Sequence, residues 1–441
     1  SARAAGIVVA TSAGYAGPNP GTVGSPANAP CIVGVGNASH NAMFGNVLEN
    51  MSGGDTPAPA DMVGASQTIG ISKLTIVHAR DYGNALCGVG EPELQPSCAG
   101  NTGASNPWAG EKPFNGEIVV CDRGTYGRVE KGKNVLLAGA RGYVLANTAE
   151  FGEAIVADNH CLPATHLGEQ DGDVLRDWLA SGVGHGAALS GLVLAQSDAV
   201  ADQIAATSSR GPALEPVEDV MKPNLIAPGT NILAAIEEGS QFGIHNGTSM
   251  SSPHVAGAAA LLKSLRPDWG VNEIISAIET TATLELAKTD DRSPASVTEA
   301  GAGRPQLGEA ANAGLFLDVS YAEFQNADPL RGGDPGSLNL PGLIDGSCQG
   351  SCTFSRTVTD LAGGGDWTVQ GVEFPAGVSV SVSPSSFSLA NGASRTVSIT
   401  VDVSASGIVG TWISGKIRFR SVGFADQLLT VGVFSGGGDL P

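Results

Sequence analysis

Residues 245–265, HNGTSMSSPHVAGAAALLKSL, join a group of small hydroxyl-bearing residues to a long apolar run. Val255, Leu262 and an alanine between them recur at the spacing of one helix face, which predicts a buried helix. Ser249 precedes this run, at the amino end of the helix, where unpaired N–H groups and the helix dipole favour negative charge. An oxyanion formed there would be stabilised, so Ser249 is a candidate nucleophile. Its alternative role is that of a simple helix N-cap.

The apolar runs AGIVVA (5–10) and CIVGVGNA (31–38) are bounded by turn-rich segments and are typical of buried parallel strands. A strand–helix–strand unit is predicted within 115–148. Beyond about residue 318 the pattern alternates with period two, which indicates an antiparallel β-sandwich. The predicted fold class is therefore α/β, with an incomplete parallel-sheet core, an α+β insert and a C-terminal sandwich. The predicted boundaries are 1–66 for the first part of the core, 67–194 for the insert, 195–317 for the second part of the core and 318–441 for the sandwich.

Charge and hydropathy exclude several function classes. The chain has 23 Lys and Arg against 43 Asp and Glu, a net charge of −20. Such an acidic surface argues against binding nucleic acid or an anionic membrane. No run of about 18 apolar residues occurs, so no membrane-spanning helix is predicted. An acidic, solvated surface is consistent with a secreted protein.

The seven cysteines do not form paired CxxC groups, so a zinc site is not expected. The segments CGVGEPELQPSC (87–98) and CQGSC (348–352) each predict a short loop closed by a disulfide, and Cys121 with Cys161 forms a third predicted pair. Cys31 is then left over. Disulfides indicate an oxidising compartment. No Asp-rich loop has a calcium-ligand spacing, so no cofactor is expected, although calcium stays open.

The motif GTSMSSPHVAG (247–257) resembles the serine signature of subtilisin-like peptidases, the subtilases. SSRGP (208–212) and the residues that follow it, to 235, resemble the family segment before the serine helix. The insert resembles a protease-associated domain, and the tail resembles a fibronectin-III-like domain. The resemblance implies a subtilisin-like core and a secreted serine endopeptidase that forms an acyl-enzyme on Ser249.

A serine peptidase of this kind needs a histidine base oriented by a carboxylate. The resemblance implies the order Asp, His within H-G-T-H, the oxyanion Asn, and then Ser. None of the histidines lies in that context; they are His40, His78, His160, His166, His185, His245 and His254. His185, in GHGAALSG, is the nearest match but falls in the insert. His254 is expected to be a packed helix residue, and His245 to lie on the approach loop. The chain is thus expected to lack the catalytic Asp and His and to be inactive by itself.

The segment SAGYAGP (12–18) places Tyr15 where the family has the asparagine of the oxyanion hole. Loss of one such donor lowers the rate by roughly 10²–10³. The Tyr15 hydroxyl and Asn19 are two candidate replacements, and Thr248 lies in the same region of the motif. The resemblance also implies that Ser12, Ala13 and Gly14 form one wall of the substrate pocket, while the other wall belongs to the missing region.

There are two alternative functions. A non-catalytic protein-binding fragment or pseudoenzyme would use the insert and the sandwich to recruit proteins, and Tyr15 favours it. An α/β-hydrolase esterase is disfavoured because Ser249 has no G-x-S-x-G context. The expected partners are a polypeptide substrate and either the missing N-terminal segment or a second copy of the chain.

Overall fold

The computed structural model describes residues 2–93, 98, 106–109, 111–196, 200–214, 216–237, 242–289 and 292–436. Within these ranges, no helix combines the length and the apolar character needed to cross a bilayer.

The strands are β1 (Ala10–Ser12), β2 (Val33–Ala38), β3 (Ala42–Ser52), β4 (Met62–Ala65), β5 (Ile71–His78), β6 (Ile118–Asp122), β7 (Gly142–Ala146), β8 (Ala164–Leu167), β9 (Gly186–Leu189), β10 (Val193–Gln196), β11 (Gln203–Ile204), β12 (Leu225–Pro228), β13 (Ile232–Ala235), β14 (Phe242–His245), β15 (Ala287–Lys288), β16 (Leu315–Leu317), β17 (Leu343–Cys348), β18 (Ser351–Asp360), β19 (Gly364–Val372), β20 (Ser379–Ser383), β21 (Ser386–Ala390), β22 (Ser394–Asp402), β23 (Thr411–Arg420) and β24 (Gln427–Ser435). The α-helices are α1 (Arg128–Leu137), α2 (Glu169–Leu179), α3 (Thr248–Leu265), α4 (Val271–Thr280), α5 (Val297–Ala300), α6 (Leu307–Ala310) and α7 (Tyr321–Asn326).

The core sheet is centred on β2, whose six residues are all buried. Strands β1 and β12 pair with it in parallel on its two sides, with Ala10 opposite Val33 and Leu225 opposite Val35. Because β2 has a neighbour on each side and helices nearby, its run of apolar and small residues is the pattern expected for a central parallel strand. In the described part of the chain, β1 has no second partner strand, so one edge of this sheet is open.

Helix α3 packs on the core sheet through one face only. Val255 and Leu262 join the cluster formed by strand residues such as Val35 and by helix α4. The opposite face is exposed, with Leu261 and Leu265 accessible at 64% and 63%. The sequence predicted a buried helix, and only half of its surface is buried because no described element covers the other side.

Residues 42–196 form a second sheet with the order β10-β3-β4-β8-β7-β6-β5-β9, and β3 also pairs with β9. This last pairing closes the ring, and we call residues 42–196 the inserted barrel. Strands β3 and β4 belong to it, so the boundary predicted at residues 66–67 falls inside this sheet. The end of the barrel, at Gln196, lies close to the predicted residue 194.

Two disulfides in the inserted barrel differ from the predicted pairing. Cys87 bonds to Cys121, and Cys98 bonds to Cys161. The segment before Cys87 runs beside β6, where the Asp122 N–H donates to the Ala85 carbonyl (2.8 Å), so Cys87 reaches a strand rather than the near end of its own loop. The predictions of an 87–98 and a 121–161 disulfide are therefore wrong. Residues 94–97 of that predicted loop lie outside the described residues.

The C-terminal region is a sandwich of two sheets, β16-β18-β22-β20 and β17-β24-β23-β19-β21. Their inner faces alternate with outward Ser and Thr, as period-two patterning predicts. The predicted Cys348–Cys352 disulfide is present, and Cys31 is free. Gln427 joins the sandwich to the core, because its Nε2 donates to Thr280 Oγ1 of α4 (2.7 Å).

Candidate active site

Ser249 is exposed at the second position of α3, and the backbone before it requires glycine. Gly247 precedes the helix with a φ of 145°, a conformation that side chains with a Cβ rarely adopt. A methyl group at Gly247 would also collide with the ring and hydroxyl of Tyr15. The glycine therefore lets Tyr15 approach the start of the helix.

Tyr15 contacts the candidate nucleophile directly. Its hydroxyl and the Ser249 Oγ are 3.0 Å apart, and either can be the donor. The Tyr15 side chain is 55% exposed, so the pair lies at the surface of the core. The sequence placed both residues in one site, but it could not show that they bond to each other, because 234 residues separate them.

The segment after β1 is fastened to the beginning of α3. The Ala13 N–H donates to the Val35 carbonyl (2.9 Å), which continues the parallel pairing with β2. The Thr248 hydroxyl lies between the Gly14 N–H (3.3 Å) and the Gly14 carbonyl (3.4 Å), and Thr248 itself is fully buried. Thr248 therefore positions residues 12–14 against the helix and is not free to contact a ligand.

Asn19, the other candidate donor, is not brought to Ser249. It is exposed in the turn after Tyr15, and its backbone carbonyl accepts a hydrogen bond from Thr22 Oγ1 (2.9 Å). Of the two proposed replacements for the asparagine, the structure places the tyrosine hydroxyl at the serine.

None of the seven histidines, all of which the structure describes, hydrogen-bonds to Ser249. His254 is exposed, and its Nδ1–H donates to the Met250 carbonyl (2.7 Å). This differs from the packed position expected for it and follows from the uncovered face of α3. His185 is buried against Trp178 in the inserted barrel, and His245 is exposed on β14.

A cavity of about 250 Å³ adjoins Tyr15 and Gly247 and extends between the core and the inserted barrel. The barrel contributes Arg123 and Ile155 to its lining, while β14 is followed by Asn246 on the core side. No local sequence pattern predicted this cavity. Arg123 follows β6 directly, and ligand-binding residues commonly lie at the carboxyl ends of parallel strands. Its position after a predicted strand could therefore have marked Arg123 as a candidate binding residue.

Among the described residues, there is no cluster of three or more His, Cys, Asp or Glu side chains that could hold a metal ion.

Ser249 is thus an exposed serine at the start of a helix that packs on a parallel sheet, and sequence comparison gives the family of the chain. The Subtilase family profile matches residues 1–303, and the Fibronectin type-III domain profile matches residues 337–428. This chain belongs to the subtilase family and carries a C-terminal fibronectin type-III domain. The family resemblance and the predicted α/β fold class are confirmed.

Among its relatives is Subtilisin-like protease SBT1.7 of Arabidopsis thaliana, which is 33% identical over 97% of this chain and 59% of the plant protein. Subtilisin-like protease SBT1.4 of the same plant is 34% identical over 86% of this chain and 52% of that protein. The chain thus spans between half and three fifths of the length of these relatives.

Proposed function

We propose that Ser249 is the nucleophile of a subtilisin-type serine endopeptidase that cleaves extended polypeptides. The observation that carries the proposal is the exposed Ser249 Oγ at the amino end of α3, 3.0 Å from a second hydroxyl. At this end of a helix, backbone N–H groups are available to hold developing negative charge.

The proposed reaction has two stages, acylation of Ser249 and hydrolysis of the acyl-enzyme. Ser249 Oγ bonds to the scissile carbonyl carbon, its proton passes to a histidine base, and the carbonyl electron pair moves to oxygen. Collapse of this intermediate breaks the C–N bond, and the leaving amine takes the proton from the histidine. Water then repeats the sequence and frees Ser249. In this proposal the Ser249 N–H and the Tyr15 hydroxyl donate to the oxyanion, and Ser12, Ala13 and Gly14 support the substrate.

The base and its carboxylate come, in this proposal, from a segment that is not in this chain, so the chain alone is inactive. Two observations support a covering segment. One face of α3 is exposed with Leu261 and Leu265 on it, and the edge of β1 has no described partner. An exposed apolar helix face and a strand edge with unpaired backbone N–H and C=O groups are both features that folded domains normally cover. A second copy of the chain could cover the same surfaces.

The inserted barrel, the disulfides and the net charge support proposals about domain identity, secretion and binding partners. The inserted barrel would be the protease-associated domain, and three disulfides support secretion. The acidic net charge of −20 supports the view that neither nucleic acid nor membrane is a partner. Catalysis would need no cofactor, and any calcium would be structural.

The second candidate function is a non-catalytic protein-binding fragment or pseudoenzyme. It is favoured by Tyr15, which stands where the family has the oxyanion asparagine and whose hydroxyl lies 3.0 Å from Ser249 Oγ.

Labelling with a fluorophosphonate, read by intact mass, separates these functions. We expect the full-length precursor to be labelled at Ser249, its Ser249→Ala variant to stay unlabelled, and the 441-residue chain to react far more slowly. Labelling of the chain alone at the rate of the precursor would show that a base lies within it. Failure of both to react would favour the binding fragment.

A further inference from the structure

The cavity lined by Tyr15 and Gly247 is built from two parts of the molecule that meet at a polar contact. Asn231, after β12, accepts a hydrogen bond from the Ala157 N–H (2.9 Å) and donates to the Ile155 carbonyl (3.2 Å). Met43, Ile155 and Ala157 pack together beside it. The inserted barrel is therefore held against the core at the cavity, and its residues form part of the wall next to Tyr15 and Gly247.

Arg123 is fixed in that wall by neutral contacts. Its Nη1 donates to Asn147 Oδ1 (3.2 Å) and to the Ala154 carbonyl (2.9 Å). Its guanidinium lies over the Phe151 ring, 4.2 Å from the centroid. These contacts hold the planar group in place, and a guanidinium held in this way can bind a carboxylate with two parallel hydrogen bonds.

The other charged groups around the cavity already have partners. Arg128 Nη2 donates to Asp158 Oδ1 (3.0 Å), and Glu153 Oε1 accepts from Arg292 Nη2 (2.7 Å). His40 also lines the cavity, and its burial lowers the pKa of its imidazole, which favours the neutral form.

Arg123 differs from these groups, because no carboxylate among the described residues forms an ion pair with it. Burial, and then the neighbouring Arg128, lower the pKa of Arg123 to about 9, and the more distant charges of Asp158 and Glu150 only partly oppose this. A carboxylate that entered the cavity would offset the cost of burying this charge.

We propose that this cavity is a specificity subsite in which Arg123 binds the side-chain carboxylate of an Asp or Glu close to the scissile bond of a polypeptide. The inference rests on the proposed peptidase function. It makes the inserted barrel a direct participant in substrate selection, because the barrel supplies the charged group and the core supplies Ser249.

The test measures binding, which does not require catalysis. Fluorescent peptides that differ only by Glu or Gln, amidated at the C-terminus, are titrated into the chain and followed by anisotropy. We expect about tenfold tighter binding of the Glu peptide at low salt, as a charge-assisted hydrogen bond gives, and a smaller preference at high salt. Arg123→Gln should remove the preference, and Arg123→Lys should keep part of it.

Arg266→Gln is the matched control. Arg266 also lies over an aromatic ring, that of Trp269 (5.5 Å), and its Nε donates to a backbone carbonyl, that of Ala311 (3.1 Å). It does not line the cavity, so its loss should leave the Glu preference unchanged.

Thr207→Glu tests the same idea without removing contacts of Arg123, in case Arg123→Gln does not fold. Thr207 is exposed and lines the cavity, so a carboxylate there should compete with the peptide, whereas Thr207→Gln should not. Equal binding of the Glu and Gln peptides by the unmodified chain would overturn the proposal. A preference for the Glu peptide that survives both Arg123→Gln and Thr207→Glu would also overturn it. The same holds for a preference that appears only when the peptides have a free C-terminal carboxylate. If the precursor is never labelled at Ser249 but the Glu preference holds, the peptidase function fails and the carboxylate site stands.

Discussion

Gly247 determines how near Tyr15 comes to Ser249. Its φ of 145° and the position of the Tyr15 ring both leave no room for a side chain. Gly257, nearly three turns further along, differs in each respect: a methyl group there would meet nothing within 4 Å, and its backbone is helical. The two glycines of one motif therefore have different reasons for being glycine.

Gly247→Ala should destabilise the chain by about 1–3 kcal/mol through backbone strain, with the collision against Tyr15 in addition. Gly257→Ala should stabilise it by up to about 1 kcal/mol, because alanine favours a helix interior. Urea unfolding of both variants measures the difference. Equal effects at the two positions would contradict the role given to Gly247.

Tyr15→Phe removes the hydroxyl while keeping the ring against Gly247. If that hydroxyl donates to the oxyanion, kcat of the full-length precursor should fall by roughly 10²–10³, with little change in folding. Tyr15→Asn should restore much of the activity by supplying an amide donor. Phosphonylation and peptide-hydrolysis rates measure both effects, and an unchanged rate in Tyr15→Phe would remove the tyrosine from the mechanism.

At the scale of elements, the segment that leads into β12 is joined to α4 through a buried ionic network. Lys222 is fully buried, and its Nζ donates to the Ala29 (2.9 Å) and Ile32 (2.6 Å) carbonyls and to Asn224 Oδ1 (2.8 Å). Asn224 Nδ2 donates in turn to Glu279 Oε1 of α4 (3.3 Å). Burial is the main cause that raises the pKa of Glu279, and the charge of Lys222 opposes it.

Lys222→Met should destabilise the core by about 3–5 kcal/mol, because the buried Glu279 carboxyl would lose the charge of Lys222 and keep only that of Arg3. The pKa of the folded Glu279 lies above its unfolded value, so the folded state holds the extra proton and the cost grows as pH rises. Lys222→Met should therefore be more damaging at pH 8 than at pH 5. The double variant with Glu279→Gln should lose that pH difference, and denaturant unfolding at the two pH values tests it.

At the scale of the whole molecule, the proposed covering segment predicts that the two faces of α3 respond differently in this chain and in a precursor that carries the segment. Leu262 is 2% exposed and Leu261 is 64% exposed. In the chain alone, Leu261→Glu should cost under about 0.5 kcal/mol, as surface changes do. Leu262→Ala should cost about 2–5 kcal/mol in either protein.

In the precursor, Leu261→Glu should become as damaging as Leu262→Ala, because a covering segment would bury the new carboxylate. Thermal unfolding of the four proteins measures this. A harmless Leu261→Glu in the precursor would show that this face of α3 stays exposed.

Local patterns predicted the α/β class, the sandwich and the helix that begins at the serine motif, because strand and helix periodicities and the motif are properties of neighbouring residues. Pairings between distant residues could not be predicted in this way. Cys87 lies 11 residues from Cys98 in the sequence, yet it bonds to Cys121 on a strand of the barrel. Strands β3 and β4 likewise follow a core strand but pair with the barrel.

The site shows the same limit. The residues of the serine motif were found from their order, whereas the Tyr15–Ser249 bond and the position of Arg123 depend on tertiary packing over more than 100 residues. The exposure of one face of α3, and of His254 on that face, could not be predicted either. An amphipathic pattern identifies the buried face of a helix but does not say whether another segment covers the opposite face.

The two ends of the inserted barrel lie side by side. Ala42 at its start is paired with Gln196 at its end, and next to them the Ser39 N–H donates to the Gln203 carbonyl (2.9 Å). Paired strands are about 5 Å apart, so residues 42–196 leave and rejoin the core through a gap that a tight turn could bridge. The core can therefore accept, lose or exchange the inserted barrel without a change in the positions of its own strands. Replacement of the barrel by a relative's would exchange the Arg123 side of the proposed subsite while the serine helix stayed the same.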